Sequence, residues 1–209
     1  SDGSALRLTI ARYYTPTGRS IQKPYEPGSD DYYYDISNRY LHGEFQEQDS
    51  IQLSDSLKFI TPGGRVVYGG GGIMPDHFIP LDTSGITPYF NQVARRNLIY
   101  RYAFSFTDKH RRQMANLKDA NSIESYLRKA NVFNEFITFA EQRGVKPNNA
   151  QIQKSREIIE TQIMAYIARN LIDNYGFYPI ITRIDNTLLR AIEIIEKEES
   201  NGLVSFFQL

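Results

Sequence analysis

Three histidines are the first candidates for acid–base chemistry, because histidine titrates near neutral pH and is the most frequent general base. They stand at His42, His77 and His110. Asp76 directly precedes His77, but neighbouring residues of a strand point to opposite faces, so this pair does not predict a Ser–His–Asp arrangement. We interpret His77 as an ordinary strand residue and the other two histidines as solvated surface residues.

Four carboxylates near the N-terminus could ligate a hard cation, which prefers oxygen ligands. They are Asp30, Asp31, Asp35 and Glu44. Their spacing does not fit the Asp-x-Asp-x-Asp-Gly calcium loop, and a solvated acidic segment explains them better. The chain also has no cysteine, which excludes disulfides, thiolate zinc sites and a cysteine nucleophile. We predict neither a metal site nor a cofactor site.

Four consecutive glycines at Gly69–Gly72 invite comparison with a phosphate-binding loop. A P-loop requires Gly-Lys-Ser/Thr followed directly by a helix. Here Ile73-Met74-Pro75-Asp76 follows, and Pro75 would interrupt a helix. The glycines therefore predict a flexible turn or a close approach of two backbone segments.

A basic stretch from Arg95 to Arg112 could contact phosphate or nucleic acid. Its bases are Arg95, Arg96, Arg101, Lys109, Arg111 and Arg112. The whole chain has zero formal net charge, with −4 on residues 1–83 and +4 on residues 84–209. Because a strand platform with interleaved aromatic residues is missing, this pattern favours attraction within the chain over nucleic-acid binding.

The elements that position these residues change character near residue 84. Residues 1–83 hold 10 of the 14 glycines and 6 of the 9 prolines, which is typical of short strands and turns. The predicted elements are a strand at Ala5–Tyr14 with Leu6, Leu8 and Ile10 on its core face, its hairpin partner up to Lys23, a second hairpin at Leu57–Tyr68, a strand at His77–Leu81, and an exposed, acidic, tyrosine-containing insertion at residues 26–55.

Residues 84–209 are helical by pattern, so the predicted fold class is α+β, with hairpins first and a helical domain after them. The predicted helices run from Thr87 as N-cap through Phe106, from Asn121 to Lys129, from Asn131 to Gly144, from Pro147 to about Ile172, and from about Asp185 to Glu198. No apolar run approaches the length of about 20 residues that a membrane span needs.

The segment Gly3–Gln22 resembles a signature of the carboxyl-terminal processing (tail-specific) serine peptidases. It reads GSALRLTIARYYTPTGRSIQ, and Gly72-Ile73-Met74-Pro75-Asp76 matches the Gly-Ile-x-Pro-Asp segment that follows in that family. The gap between the two is longer than usual in the family, because the acidic insertion and second hairpin intervene. In the sequence of these segments and in the insertion, the chain is most similar to the large family members from Bacteroidetes-type bacteria, which also carry a helical C-terminal region.

The resemblance implies an endopeptidase with a Ser–Lys dyad, in which an unprotonated lysine accepts the proton of the serine hydroxyl. In the family, both catalytic residues and the PDZ domain that receives substrate precede the segment that opens this chain. No catalytic residue is therefore assigned here, and Ser4 and Ser20 are expected to belong to the strand motif. Residues 1–83 would form the end of the protease core and residues 84–209 a helical accessory domain.

The chain opens on Ser1 without an initiator methionine or an apolar signal region, which we interpret as a piece of a longer protein. The resemblance implies a periplasmic or cell-envelope location and protein substrates bound by upstream domains. We expect the fragment alone to be inactive, and to self-associate or fray along Ala5–Tyr14. The alternative is a non-enzymatic cell-envelope interaction domain whose tyrosine-rich segment binds a protein or glycan.

Overall fold

The computed structural model describes residues 2–23, 31–51 and 55–200 of the chain. The chain divides into two compact units at the junction between Leu81 and Asp82. The described residues are mostly helical and contain one small two-stranded antiparallel sheet. The α+β prediction is confirmed in this coarse form, with a larger share of helix than strand.

The first unit holds one helix and one short hairpin among its described residues. Its elements are α1 (Asp31–Leu41), β1 (Lys58–Ile60) and β2 (Val66–Tyr68), with 3₁₀ turns at Gln48–Ser50 and Asp55–Leu57. β1 and β2 pair antiparallel with Phe59 opposite Val67, which confirms the second predicted hairpin in shortened form.

The strand predicted after the second hairpin is wrong. His77–Leu81 forms no strand, and the Leu81 amide donates to the Phe45 carbonyl at 2.8 Å. Pro80 contributes no N–H to a ladder, which weakens any strand at this point. The described part of the acidic insertion is mostly exposed and contains the helix α1, an element for which the sequence made no prediction.

The second unit is built from helices. They are α2 (Pro88–Arg95), α3 (Leu98–Met114), α4 (Ala120–Lys129), α5 (Val132–Glu141), α6 (Asn149–Lys154), α7 (Arg156–Ile172), α8 (Asn174–Ile181) and α9 (Asn186–Ser200), with a 3₁₀ turn at Thr182–Ile184. No helix of the described residues is both long enough and apolar enough to cross a bilayer.

Helix α7 is the centre of this unit. Its residues Ile159, Ile163 and Ile167 are fully buried, and the helix packs against α3, α4, α5, α6 and α8. Gly176 permits a close contact of α8 with α7, because a Cβ atom there would lie 2.7 Å from the Ala168 carbonyl oxygen. The tight packing of α8 on α7 therefore depends on a residue without a side chain.

Two helices that the sequence predicts as continuous are each divided in two. The first breaks at Asn97, which adopts a left-handed conformation with φ of 53° between α2 and α3. The second breaks at Ser155, between α6 and α7. Asparagine tolerates the left-handed region better than most residues, but apolar periodicity does not report such a break.

The predicted helix caps are confirmed in one case and wrong in another. Thr87 caps α2 as predicted, since its side-chain oxygen accepts the Phe90 amide at 3.2 Å. The cap of α4 is Asp119 and not the predicted Asn121, because the Asp119 carboxylate accepts the Ser122 amide at 2.9 Å. The last helix is confirmed as α9, but α8 was missed.

Ser155 is fully buried at the break between α6 and α7 and joins this break to the start of α2. Its Oγ donates to the Gly85 carbonyl at 2.7 Å and lies 2.7 Å from Thr87 Oγ1. A hydroxyl has a single proton, so the Thr87 hydroxyl must donate to Ser155 Oγ while it accepts the Phe90 amide.

The substitution Ser155→Ala should remove this connection and lower the free energy of unfolding by about 1–3 kcal/mol, because it leaves buried polar groups unpaired. Chemical denaturation measures the loss. Ser105→Ala is the matched control, since Ser105 is exposed on α3 and its change should stay within about 0.5 kcal/mol. Equal effects of the two substitutions would contradict the role given to Ser155.

Glu124 forms an ion-pair cluster that ties α4 to the 3₁₀ turn after α8. Arg128 Nη2 lies 2.6 Å from Glu124 Oε1, and Arg183 Nη1 pairs with Oε2. Burial raises the pKa of Glu124, but the hydrogen bonds and charges of Arg183 and Arg128 outweigh it and hold the pKa below its ordinary value of 4.5.

A carboxyl group with a lowered pKa stabilises the fold above its unfolded pKa and loses that contribution as pH falls through the folded value. Glu124→Gln should therefore cost about 1–3 kcal/mol near neutral pH. The difference from the wild-type chain should shrink as pH falls below 4.5. Urea denaturation across this range tests it, with the exposed Glu157→Gln as control; a difference that is constant with pH would contradict the assignment.

Candidate functional site

The N-terminal segment carries the strongest candidate for a functional surface. The prediction of a strand at Ala5–Tyr14 with core-facing side chains is wrong for this chain, because residues 2–13 contain no helix or strand. Leu6, Leu8 and Ile10 are 89%, 71% and 90% exposed. The physical reason is that a strand needs a neighbour, and the sheet of the described residues consists of β1 and β2 alone.

A tight turn anchors the C-terminal end of this segment. The Thr15 amide donates to the Arg19 carbonyl at 2.9 Å, and the Gly18 amide donates to the Thr15 carbonyl at 2.8 Å. Tyr14 and Ser20 form a single antiparallel bridge beyond the turn. The turn that Thr15-Pro16-Thr17-Gly18 predicts is therefore confirmed, while the predicted hairpin from Ala5 to Lys23 is reduced to this one bridge.

The glycine run packs directly against the chain that leaves the turn. The Gly70 amide donates to the Ser20 carbonyl at 3.2 Å, and the Gly72 amide donates to the Ile21 carbonyl at 2.9 Å. A Cβ atom on Gly70 would lie 2.5 Å from Leu57 Cδ1. The prediction of a close backbone approach is confirmed. These bonds hold Ser20 and Ile21, which follow the turn, against the chain that leaves the β1–β2 hairpin.

The histidines lie in separate environments. His42 and His77 are exposed in the first unit, and Asp76 pairs with Arg65 rather than with His77. His110 lies on α3 in the second unit, where its ring stacks on Phe106 at 4.2 Å between centroids and its Nδ1 lies 3.0 Å from the Phe106 carbonyl oxygen.

The acidic candidates do not converge either. Asp30 lies outside the described residues, and Asp31 is the first residue of α1. Asp35 pairs with Lys23, and Glu44 pairs with Arg39 Nε at 2.8 Å. Among residues 2–23, 31–51 and 55–200, no three histidine or carboxylate side chains are grouped closely enough to hold a metal ion.

The basic stretch is divided by the left-handed residue Asn97. Arg95 and Arg96 close α2, where Arg96 Nη1 donates to the Arg143 carbonyl at 3.0 Å. The remaining bases, Arg101, Lys109, Arg111 and Arg112, are exposed along α3. The predicted attraction between the two parts of the chain stays a prediction.

The two serines of the signature segment take part in short-range hydrogen bonds. Asp2 accepts the Ser4 amide at 2.9 Å, which lowers the pKa of the Asp2 carboxyl. Ser20 Oγ lies 3.3 Å from the Gln22 amide nitrogen and 3.4 Å from its carbonyl oxygen. Ser20 therefore shapes the chain after the turn.

The fold brings together a cluster of charged side chains that the sequence does not predict. Glu124 and Arg128 stand four residues apart in α4, a spacing at which an ion pair is expected. Arg183 is 59 residues from Glu124 along the chain, and no local pattern signals their contact. The cluster depends on the packing of α8 against α4. The sequence did not predict α8, so it could not predict this packing.

Part of the helical unit is similar to a known protein family. Residues 89–173, from the first turn of α2 to the end of α7, match a family of unknown function (DUF8443). No curated protein and no solved structure matches the chain.

The exposure of the N-terminal segment gives a testable outcome. Leu8→Ala should change the free energy of unfolding of this chain by less than about 0.5 kcal/mol, because the side chain is already in solvent. Phe136→Ala, at a fully buried position of α5, should cost about 3–5 kcal/mol. Chemical denaturation of both variants measures the contrast. A loss of more than about 2 kcal/mol for Leu8→Ala would place the residue in a core.

Proposed function

We propose that the chain is the C-terminal part of a carboxyl-terminal processing serine endopeptidase. In this proposal residues 5–14 form a strand of the protease sheet with preceding sequence, and the helical unit is an accessory domain. The Ser–Lys dyad lies in the preceding sequence, and the protein acts in the periplasm or cell envelope. The proposal accounts for the resemblance of Gly3–Gln22 and Gly72–Asp76 to the family.

One observation carries the proposal. Residues 6–10 alternate apolar and polar side chains with the period of a strand, yet the apolar ones are exposed and their backbone joins no ladder of the described residues. A segment of this composition is expected to have a partner, since exposed apolar strands are aggregation-prone. Preceding sequence that pairs with it would cover Leu6, Leu8 and Ile10.

The anchoring of the segment fits a supporting role. The turn at residues 15–18 and the bonds from Gly70 and Gly72 fix the chain directly after the segment. A strand that enters the sheet would therefore be held at its C-terminal end by a preformed turn. In the dyad mechanism the serine Oγ attacks the peptide carbonyl while lysine Nζ takes its proton and passes it to the leaving amine. Residues 5–14 would hold the sheet that orients these two groups.

An alternative is a non-enzymatic interaction domain of the cell envelope. It is favoured by the exposed tyrosines of α1, where Tyr33 and Tyr34 are 68% and 60% exposed. Tyrosine is frequent in protein-binding surfaces. The sequence that directly precedes this chain in its gene distinguishes the two functions, because a serine and a Gly-Lys-Gly element shortly upstream would favour the peptidase.

We expect this chain alone to leave an unfolded protein substrate intact, because a hydroxyl without its base loses most of its reactivity. Cleavage that disappears in Ser20→Ala would contradict the assignment. The same chain joined to its preceding sequence should cleave the substrate.

In that longer protein Leu8→Lys should abolish cleavage, since it places a charge on the covered face of the strand. Ile36→Lys in α1 is the matched control, because Leu8 and Ile36 are both 71% exposed in this chain. Electrophoresis of the substrate after incubation measures both. Loss of cleavage in both variants, or in neither, would contradict the proposal.

A further inference from the structure

A cleft of about 500 Å³ opens in the helical unit, between the end of α4, the corner between α6 and α7, and the 3₁₀ turn at Thr182–Ile184. Its basic groups include Arg128 and Arg183, with Lys154 at the corner. Its acidic groups are Glu157 and Glu160 on α7. The cleft lies within one unit, and its chemistry is independent of the proposed peptidase function.

Glu124 holds the two arginines of the cleft in place. Its side chain is only 9% exposed, whereas those of Arg128 and Arg183 are 57% and 45% exposed. Each guanidinium has five N–H groups, of which Arg128 uses those of Nε and Nη2 on Glu124, at 3.1 and 2.6 Å, and Arg183 uses one of Nη1. The other N–H groups make no hydrogen bond to the described residues.

This anchoring prepares both guanidinium groups for a ligand. A free arginine side chain loses rotamer freedom when it binds an anion, and that loss weakens binding. Here the contacts with Glu124 have already restricted Arg128 and Arg183. The planar fork of a guanidinium also matches the geometry of a carboxylate, which it can bind through two parallel hydrogen bonds.

The other charges of the cleft limit the ligand. Arg156 is neutralised by Glu160, since Arg156 Nε lies 3.2 Å from Glu160 Oε2, and its guanidinium lies 4.8 Å from the centre of the Phe133 ring. Lys154 and Glu157 are exposed, and neither makes an ion pair with a described residue. With Glu124 counted, a single positive charge is left, which suits a monoanion better than a dianion.

We propose that this cleft binds a carboxylate group, through Arg128, Arg183 and Lys154. The carboxylate belongs either to a small molecule or to an acidic side chain of a peptide. A cluster that only tied α4 to the 3₁₀ turn would need neither the exposed guanidinium faces nor Lys154. Glu157 opposes the bound anion, and its removal should therefore strengthen binding.

Titration of the 209-residue chain by NMR, at constant ionic strength, tests the proposal through the arginine Nε–H signals. The probes are propionate for a small molecule, N-acetyl-aspartate amide for an acidic side chain, N-acetyl-asparagine amide as the uncharged match, and inorganic phosphate. We expect saturable shifts of the Arg128 and Arg183 signals with at least one carboxylate probe, at a Kd of about 1 mM. The stronger of the two carboxylate probes identifies the source.

Variants separate binding from a purely structural role. Lys154→Gln and Arg183→Gln should each weaken binding by about three- to tenfold, and Glu157→Gln should tighten it by about threefold. Arg190→Gln on α9 is the control and should leave the affinity unchanged. Lys154 and Glu157 are exposed, so their variants keep the test valid even if Arg183→Gln unfolds the chain.

Three results would overturn the proposal. The first is an equal response to the asparagine and aspartate probes, and the second is unchanged affinity in both Lys154→Gln and Glu157→Gln. The third is binding of inorganic phosphate as tight as that of the carboxylates, which would contradict the choice of a carboxylate as the ligand.

Discussion

Backbone amide and carbonyl groups need hydrogen-bond partners, and an apolar strand also needs a surface to cover one of its faces. Residues 5–13 meet neither condition within the described part of this chain. Their apolar side chains are exposed, and the regular pairing stops at the bridge between Tyr14 and Ser20. The helix α1 and the strands β1 and β2 of the first unit follow this segment in the chain, and neither strand pairs with it.

The helical unit satisfies the same constraint internally. Helices pair their backbone groups within themselves, so the unit needs only an apolar core, which α7 provides through Ile159, Ile163 and Ile167. The helix α9 does not share in this core. Leu188, Leu189, Ile192 and Ile195 of α9 are between 38% and 55% exposed, so this helix adds little to the core. The core of the unit is therefore formed by α2 to α8.

The sequence predicted those features that local chemistry controls. Thr87 and Pro88 predicted the start of α2, Pro62-Gly63-Gly64 predicted the β1–β2 turn, and the glycine run predicted a close backbone approach. The first two signals succeed because the interacting groups are near one another in the chain. The glycines succeed because they lack a side chain, although their partners Ser20 and Ile21 are distant in the chain.

Features that depend on distant residues were not predictable in the same way. Ser155 breaks a helical pattern because it bonds Gly85, 70 residues away along the chain. Arg183 completes the Glu124 cluster from a similar distance. The alternation of Leu6, Leu8 and Ile10 predicts a strand that this chain does not form, because a period of two residues cannot say whether a partner strand is present.

Amide hydrogen exchange of residues 5–13 tests the central claim most directly. It should be measured in this chain and in the same chain joined to its preceding sequence, with the amides of α7 as an internal reference. The account predicts rapid exchange of residues 5–13 in this chain and strong protection in the longer protein, with α7 protected in both. Protection of residues 5–13 in this chain alone, or rapid exchange in both proteins, would contradict the proposal that this segment becomes a strand by pairing with preceding sequence.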